Sequence, residues 1–247
     1  STSHSSLQAL RATSLPILIW NTQELYAVTP AYTSADLTAN HGVHGTFDLA
    51  NVLLRSGVRF EYVTSHWRDP QAPERIGMLL RAAAGVMRLR RMRVGVLGYA
   101  FPGMGDFGVD LTHLRATLGP VCETIVMEEY RAALAALKPA AVRGLEAVYR
   151  RAFRVDREVT PTQLRAAARA ELALRALIAE YRLDAYSYQF LAFGRSPDAE
   201  TVPFVGACRL MQEGVGFGGE GDVIAAAFAT VLNDLCPPAG FSEIFTI

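Results

Sequence analysis

The chain has 247 residues, 51% of them hydrophobic, enough for one large or two modest α/β domains with their own cores. Lys and Arg together number 24, matching 24 Asp and Glu, so no net field draws the chain to nucleic acid or to an anionic membrane. The opening residues Ser1 to Ser6 are polar rather than a targeting signal, and no apolar run approaches the ~20 residues of a membrane span.

Strands and helices alternate along the chain. Leu15 to Trp20 (LPILIW) is a continuous apolar run, the pattern of a strand buried on both faces. His44 to Ser56 has helical spacing and is closed by Gly57, and Phe60 to Thr64 (FEYVT) reads as a second strand. An amphipathic helix follows over Pro73 to Leu89, with Ile76, Leu79, Leu80, Ala83 and Met87 on one side. A new unit starts at Arg93. Arg93 to Tyr99 (RVGVLGY) and Glu123 to Met127 read as strands, and Leu111 to Leu118 and Glu128 to Leu137 as helices. Thr160-Pro-Thr-Gln163 is a capping box with proline in the first turn, opening a helix to about Tyr181. Asp184 to Phe193 is strand-like, Pro203 to Gln212 is helical, and a glycine-rich loop leads into a helix over Val223 to Leu235.

This alternation predicts an α/β fold of Rossmann-like layers, a parallel sheet with helices on both faces. The reading divides the chain into 1–90, the latter part of an N-terminal α/β domain; 91–236, a central α/β domain; and 237–247, the start of a C-terminal domain. The chain lacks an initial Met and stops at Ile247 inside a strand-like stretch, so both ends are expected to be cut. Cys122, Cys208 and Cys236 are widely spaced, with no CxxC. They read as buried core thiols and point to a reducing cytoplasm.

Ligands of open parallel sheets bind beyond the carboxyl ends of the strands, and three loops there are unusual. Gly214 to Asp222 contains GxGxxG but follows a helix, against a dinucleotide role. Within it, Glu220 stands between glycines at the mouth of a helix. Spacing alone favours a solvated acid beside a capping Asp222 over a ligand-directed carboxylate. Gly98 to Asp110 carries a second GxGxxG, at Gly103, Gly105 and Gly108, several residues past its strand. It reads as a binding loop presenting Met104 or as a structural turn, and less well as a nucleotide site. Asn40 to Gly45 places His41 and His44 before a helix, as hydrogen-bonded loop residues or as metal ligands without the i,i+4 spacing of the common zinc motif.

Taken together, these segments resemble one family. Leu210-Met-Gln-Glu-Gly-Val-Gly-Phe-Gly-Gly-Glu-Gly-Asp222, followed by an Ala-rich helix, is similar to the L-arabinose isomerase signature RLM-x-x-G-x-GF-x-x-EGD. Gly240 to Thr246 resembles the segment bearing that family's second active-site glutamate. Asn40 to Gly45 resembles its substrate loop, with His44 at the matching histidine and His41 where the arabinose enzymes carry Gln. Met104 falls at a substrate-contacting methionine, and Phe190 or Phe193 at a substrate-contacting aromatic.

The resemblance implies a ketol-isomerase of L-sugars of the arabinose or fucose type, working through an enediol. Glu220 and Glu243 become its acid/base pair and two of four ligands to a divalent ion, usually Mn²⁺. The family's two histidine ligands lie beyond the second glutamate, and none of His4, His41, His44, His66 or His113 takes their place. The isolated chain is therefore expected to bind metal poorly and not to turn over sugar. The histidine matching His44 serves a neighbouring subunit in that family, which implies a homo-oligomer with active sites at subunit interfaces. The rival readings are a non-catalytic sugar-binding α/β module and a nucleotide-dependent oxidoreductase using the Gly103 to Gly108 loop.

Overall fold

The computed structural model describes residues 3–194 and 201–244, and the strand-like end expected at Ile247 lies outside the described residues. The chain folds as two compact units, Ser1–Met87 and Arg88–Ile247.

In the first unit, helix α1 (Ser3–Ala12), strand β1 (Leu18–Asn21), helices α2 (Ser34–Ala39) and α3 (Gly42–Arg55) and strand β2 (Glu61–Thr64) precede helix α4 (Ala72–Arg91), within which the unit boundary falls. β1 and β2 pair in parallel, Leu18 opposite Glu61 and Asn21 opposite Thr64. The strand begins later than its apolar run because Pro16 has no amide to give a ladder, and Leu15 is left exposed. Thr33 and Asp36 cap α2 reciprocally. Helix α3 starts two residues earlier than expected, so His41 is its N-cap and His44 lies in its first turn rather than before it.

The second unit is the Rossmann-like one. Its strands β3 (Arg93–Leu97), β4 (Val121–Ile125), β5 (Ala185–Tyr188) and β6 (Gly216–Gly219) form a fully parallel sheet in the order β4-β3-β5-β6. Its helices are α5 (Leu111–Thr117), α6 (Met127–Ala135), α7 (Pro139–Ala152), α8 (Pro161–Tyr181), α9 (Phe190–Gly194), α10 (Phe204–Gln212) and α11 (Val223–Leu235). Alternation along each strand builds two cores. Leu97, Tyr186, Tyr188 and Phe217 pack with residues of α6, α8 and α10, whereas Val94, Val96 and Ala185 pack with α5 and α11 on the other face. The chain leaves β3 for β4 on one side, and β5 and β6 lie on the other. Loops therefore diverge between β3 and β5, the switch point at which such sheets bind ligands.

Several elements depart from the sequence reading. Helix α7 was not anticipated; Pro139 occupies its first turn, and Val142 and Tyr149, seven residues apart, bury against α8. β5 stops at Tyr188, because the Gln189 carboxamide oxygen accepts the Leu191 amide and turns the chain into α9. The expected glycine loop contains strand β6. A β-carbon at Gly216 would lie 2.2 Å from the Ala226 carbonyl oxygen, and one at Gly218 2.4 Å from that of Asp222. These glycines are there for close strand–helix packing, not for a flexible loop. Of the cysteines, half-buried Cys122 packs against the core, but Cys208 and Cys236 are not core thiols: they are exposed, on α10 and just after α11.

Glu171 is fully buried on α8 and compensated on every side. It accepts from Arg175 at 2.7 Å, from Arg209 of α10 at 3.0 Å and from the Tyr149 hydroxyl of α7 at 2.6 Å. Such pairing is what a buried carboxylate requires, and it ties α10, a wall of the site below, to α8. Among the described residues no helix is long and apolar enough to cross a membrane.

Candidate active site

The site starts from the turn between β6 and α11. Glu220 has φ 60° and Gly221 φ 92°, so a non-glycine residue is held in the left-handed region, at a typical cost of ~1–3 kcal/mol that the surroundings must offset. They do so at three points. The Ser187 hydroxyl, fully buried in β5, donates to the Gly218 carbonyl at 2.6 Å and accepts the Gly221 amide at 2.9 Å. The Phe101 amide, from the loop after β3, donates to the Glu220 carbonyl at 2.9 Å. Asp222 then caps α11, accepting the Ile224 and Ala225 amides at 2.9 and 2.8 Å. Gly221 is required twice over, since a β-carbon there would lie 2.5 Å from Ala100 Cα.

Glu243 arrives from the segment after α11. The Ala239 amide donates to Asn233 Oδ1 at 3.1 Å, the Phe241 amide to Met211 Sδ at 3.3 Å, and the Phe241 ring stands edge-on to Phe217 with centroids 5.6 Å apart. Beyond these anchors the Glu243 carboxylate lies against the end of β6. A β-carbon on Gly219 would sit 2.6 Å from its Oε1, so the missing side chain makes the room.

Glu220 and Glu243 line one cavity of about 570 Å³, whose other walls include Tyr188, Phe190, Phe204 and Phe217. Burial, then the neighbouring Glu243 and Asp106 carboxylates, raise the Glu220 carboxyl above its ordinary range. Burial likewise pushes the Tyr188 hydroxyl far up, so it stays a neutral phenol. Two carboxylates lining one cavity, Glu243 disfavouring the ionisation of Glu220, are oxygen donors suited to a hard divalent cation. They fit as part of such a donor set; among the described residues no group of three or more His, Cys, Asp or Glu is placed to hold an ion.

The other candidates are distributed as follows. Phe190 lines the cavity, and its ring lies 6.0 Å from that of Phe101. Phe193 is buried in the core between Tyr130 and Tyr188, with centroids at 5.1 and 5.3 Å. Met104 is exposed in the loop after β3 and does not line the cavity. His41 and His44 belong to the first unit, their rings stacked at 3.9 Å. In the second GxGxxG, β-carbons on Gly105 and Gly108 would meet nothing within 4 Å, so no close approach demands glycine there.

Sequence reasoning missed Tyr188, Ser187 and Asp106. The first two sit where β5 ends, and the Tyr-x-Tyr-x-Phe alternation over 186–190 was the available signal for a strand presenting aromatics to one face.

Residues 109–236 match the family model described as the L-arabinose isomerase central domain. The chain is 30% identical to an L-arabinose isomerase of Nocardioides sp. and 27% identical to one of Acidothermus cellulolyticus, each match covering 97% of this chain and 49% of the relative. An L-arabinose isomerase of Bacteroides thetaiotaomicron is 25% identical over 85% of this chain and 44% of its own length. The chain thus spans about half the length of the curated relatives it matches.

Proposed function

The chain belongs to the L-arabinose isomerase family, and from that premise we propose that it carries the acid/base carboxylates of a metal-dependent aldose–ketose isomerase of L-sugars of the arabinose or fucose type. The observation that carries the reading is that Glu220 and Glu243, distant in sequence, line the same cavity at the carboxyl end of the sheet. That the similar proteins of Nocardioides sp. and Acidothermus cellulolyticus are L-arabinose isomerases supports the choice of reaction.

Converting an aldose to a ketose moves one proton from C2 to C1 and another between the two oxygens. The C2–H bond is only weakly acidic, so the enediolate formed on the way is a high-energy anion in water without stabilisation. In this reading one glutamate takes the C2 proton and returns it to C1, and the other shuttles the hydroxyl proton. Positioned acid/base catalysis of this kind supplies ~10²–10⁴-fold. Glu220 and Glu243 would also hold a divalent ion, Mn²⁺ in our reading, which when bound draws charge from the two substrate oxygens. The apolar walls limit water around the carboxylates, and Phe190 offers a flat face to the sugar's C–H bonds. Of the two aromatic candidates, Phe190 is the one proposed to contact the sugar, and His44 is proposed to serve a neighbouring subunit of a cytoplasmic homo-oligomer.

The test is Glu220→Gln and Glu243→Gln in the full-length enzyme, followed by conversion of L-arabinose. Amides keep the shape and remove the charge, so each variant should lose at least about 10²-fold in turnover while melting as the wild type does. Near wild-type turnover in either variant would refute the reading. The isolated chain should convert no sugar, and measurable ketose formation by it would refute its description as part of a larger enzyme.

A further inference from the structure

The aromatic wall of the cavity contains one polar atom that its surroundings leave without a partner. The Tyr188 side chain is 1% exposed, and its hydroxyl makes no hydrogen bond among the described residues. The ring is fixed by its neighbours, with centroids 4.9 Å from Phe217, 5.3 Å from Phe193 and 6.2 Å from Phe204. It therefore has little freedom to turn toward another acceptor. A buried hydroxyl left unbonded is costly and rare in folded proteins. Two neighbouring groups share this condition, the Tyr186 hydroxyl of β5 and Nε2 of Gln189 just after the strand, but neither residue lines the cavity. Tyr188 does. It is the last residue of β5 and pairs in register with Gly219, the residue before Glu220.

We propose that Tyr188 is a substrate-specificity residue, donating its hydroxyl proton to one oxygen of a polyhydroxylated ligand that lies against the aromatic wall beside Glu220 and Glu243. The ligand class comes from the isomerase reading; the need for an acceptor comes from the orphaned hydroxyl itself. Phe217 and Phe241 meet edge to face beside it and present carbon surface alone. A sugar there stacks a C–H face on the rings and satisfies a single oxygen at Tyr188. Leaving that donor unpaired is what penalises an analogue lacking the oxygen.

Tyr188→Phe removes only the oxygen, and three readouts separate the possibilities. A hydroxyl without a partner in the free protein predicts a melting temperature equal to or above that of the wild type. A clear fall would show a structural partner and overturn the proposal. Full-length wild-type protein should bind L-arabinitol, the unreactive polyol, about tenfold more tightly than the variant by calorimetry. Equal affinity, or no saturable binding to the wild type, would overturn it, as would an ordered water still bonded to Tyr188 with the polyol bound. In turnover, the variant should lose about 10- to 100-fold in kcat/KM with L-arabinose. Among monodeoxy analogues the loss should vanish for one and persist for the rest; a uniform loss would overturn the assignment. If Glu220→Gln leaves turnover intact while Tyr188→Phe weakens polyol binding, the isomerase reading fails and the Tyr188 inference stands.

Discussion

The Gly221 amide donates to the Ser187 hydroxyl at 2.9 Å, inside a fully buried junction where the same hydroxyl donates to Gly218 at 2.6 Å. One small side chain in the neighbouring strand thus fixes both sides of Glu220. Ser187→Ala leaves a buried amide and a buried carbonyl without that partner, a loss of about 1–3 kcal/mol. Denaturant unfolding should show it as a lower midpoint at unchanged slope. An unchanged midpoint would mean that the turn is held from elsewhere.

The two glycines flanking Glu220 should respond differently to alanine. At Gly221 the new β-carbon would meet backbone at 2.5 Å, in a residue with φ 92°. Gly221→Ala should therefore cost more than about 2 kcal/mol of stability. At Gly219 the obstacle is the end of the Glu243 side chain, at 2.6 Å, which can swing aside. Gly219→Ala should keep the melting temperature within a few degrees yet cut turnover of the full-length enzyme at least about tenfold, by displacing a carboxylate from its place. Retained turnover in Gly219→Ala would argue against a working role for Glu243 at that position.

Acid should weaken the fold partly through Glu213. Its carboxylate receives two bonds from Arg175, at 2.7 and 2.6 Å, and that pairing holds its pKa below the usual glutamate value. A carboxyl depressed in the folded state stabilises above its unfolded pKa, and the contribution disappears as pH falls through the folded value. Glu213→Gln should be less stable than the wild type at neutral pH, with the gap closing below about pH 4. Parallel stability curves through the acid range would contradict this.

The β-α alternation and the positions of most strands and helices were legible because apolar runs bounded by turns leave few other options. Arg93 to Leu97 and the capped helix from Thr160 are cases where local chemistry and tertiary packing agree. β6 was not legible, since four residues of which three are glycine carry no strand propensity. It forms because α11 presses so close that only glycine fits at 216 and 218. Helix α7 was overlooked although its proline start and seven-residue spacing were present. At the site, Glu220 and Glu243 could be named only through motif resemblance, because no spacing rule relates residues joined by a helix and a turn. Tyr188 was hidden for the opposite reason. An aromatic at a strand end reads as core, and only coordinates reveal that its oxygen lacks a partner.

The contact of β6 with α11 also constrains how this site can change. On the helix-facing side of that strand no side chain can be added without prying the layers apart, so random substitution there is filtered out before it can affect chemistry. Phe217 and Tyr188 point the other way, where volume can be traded against the open cavity. Laboratory evolution toward a new sugar should therefore accumulate its successful changes on one side of the sheet only.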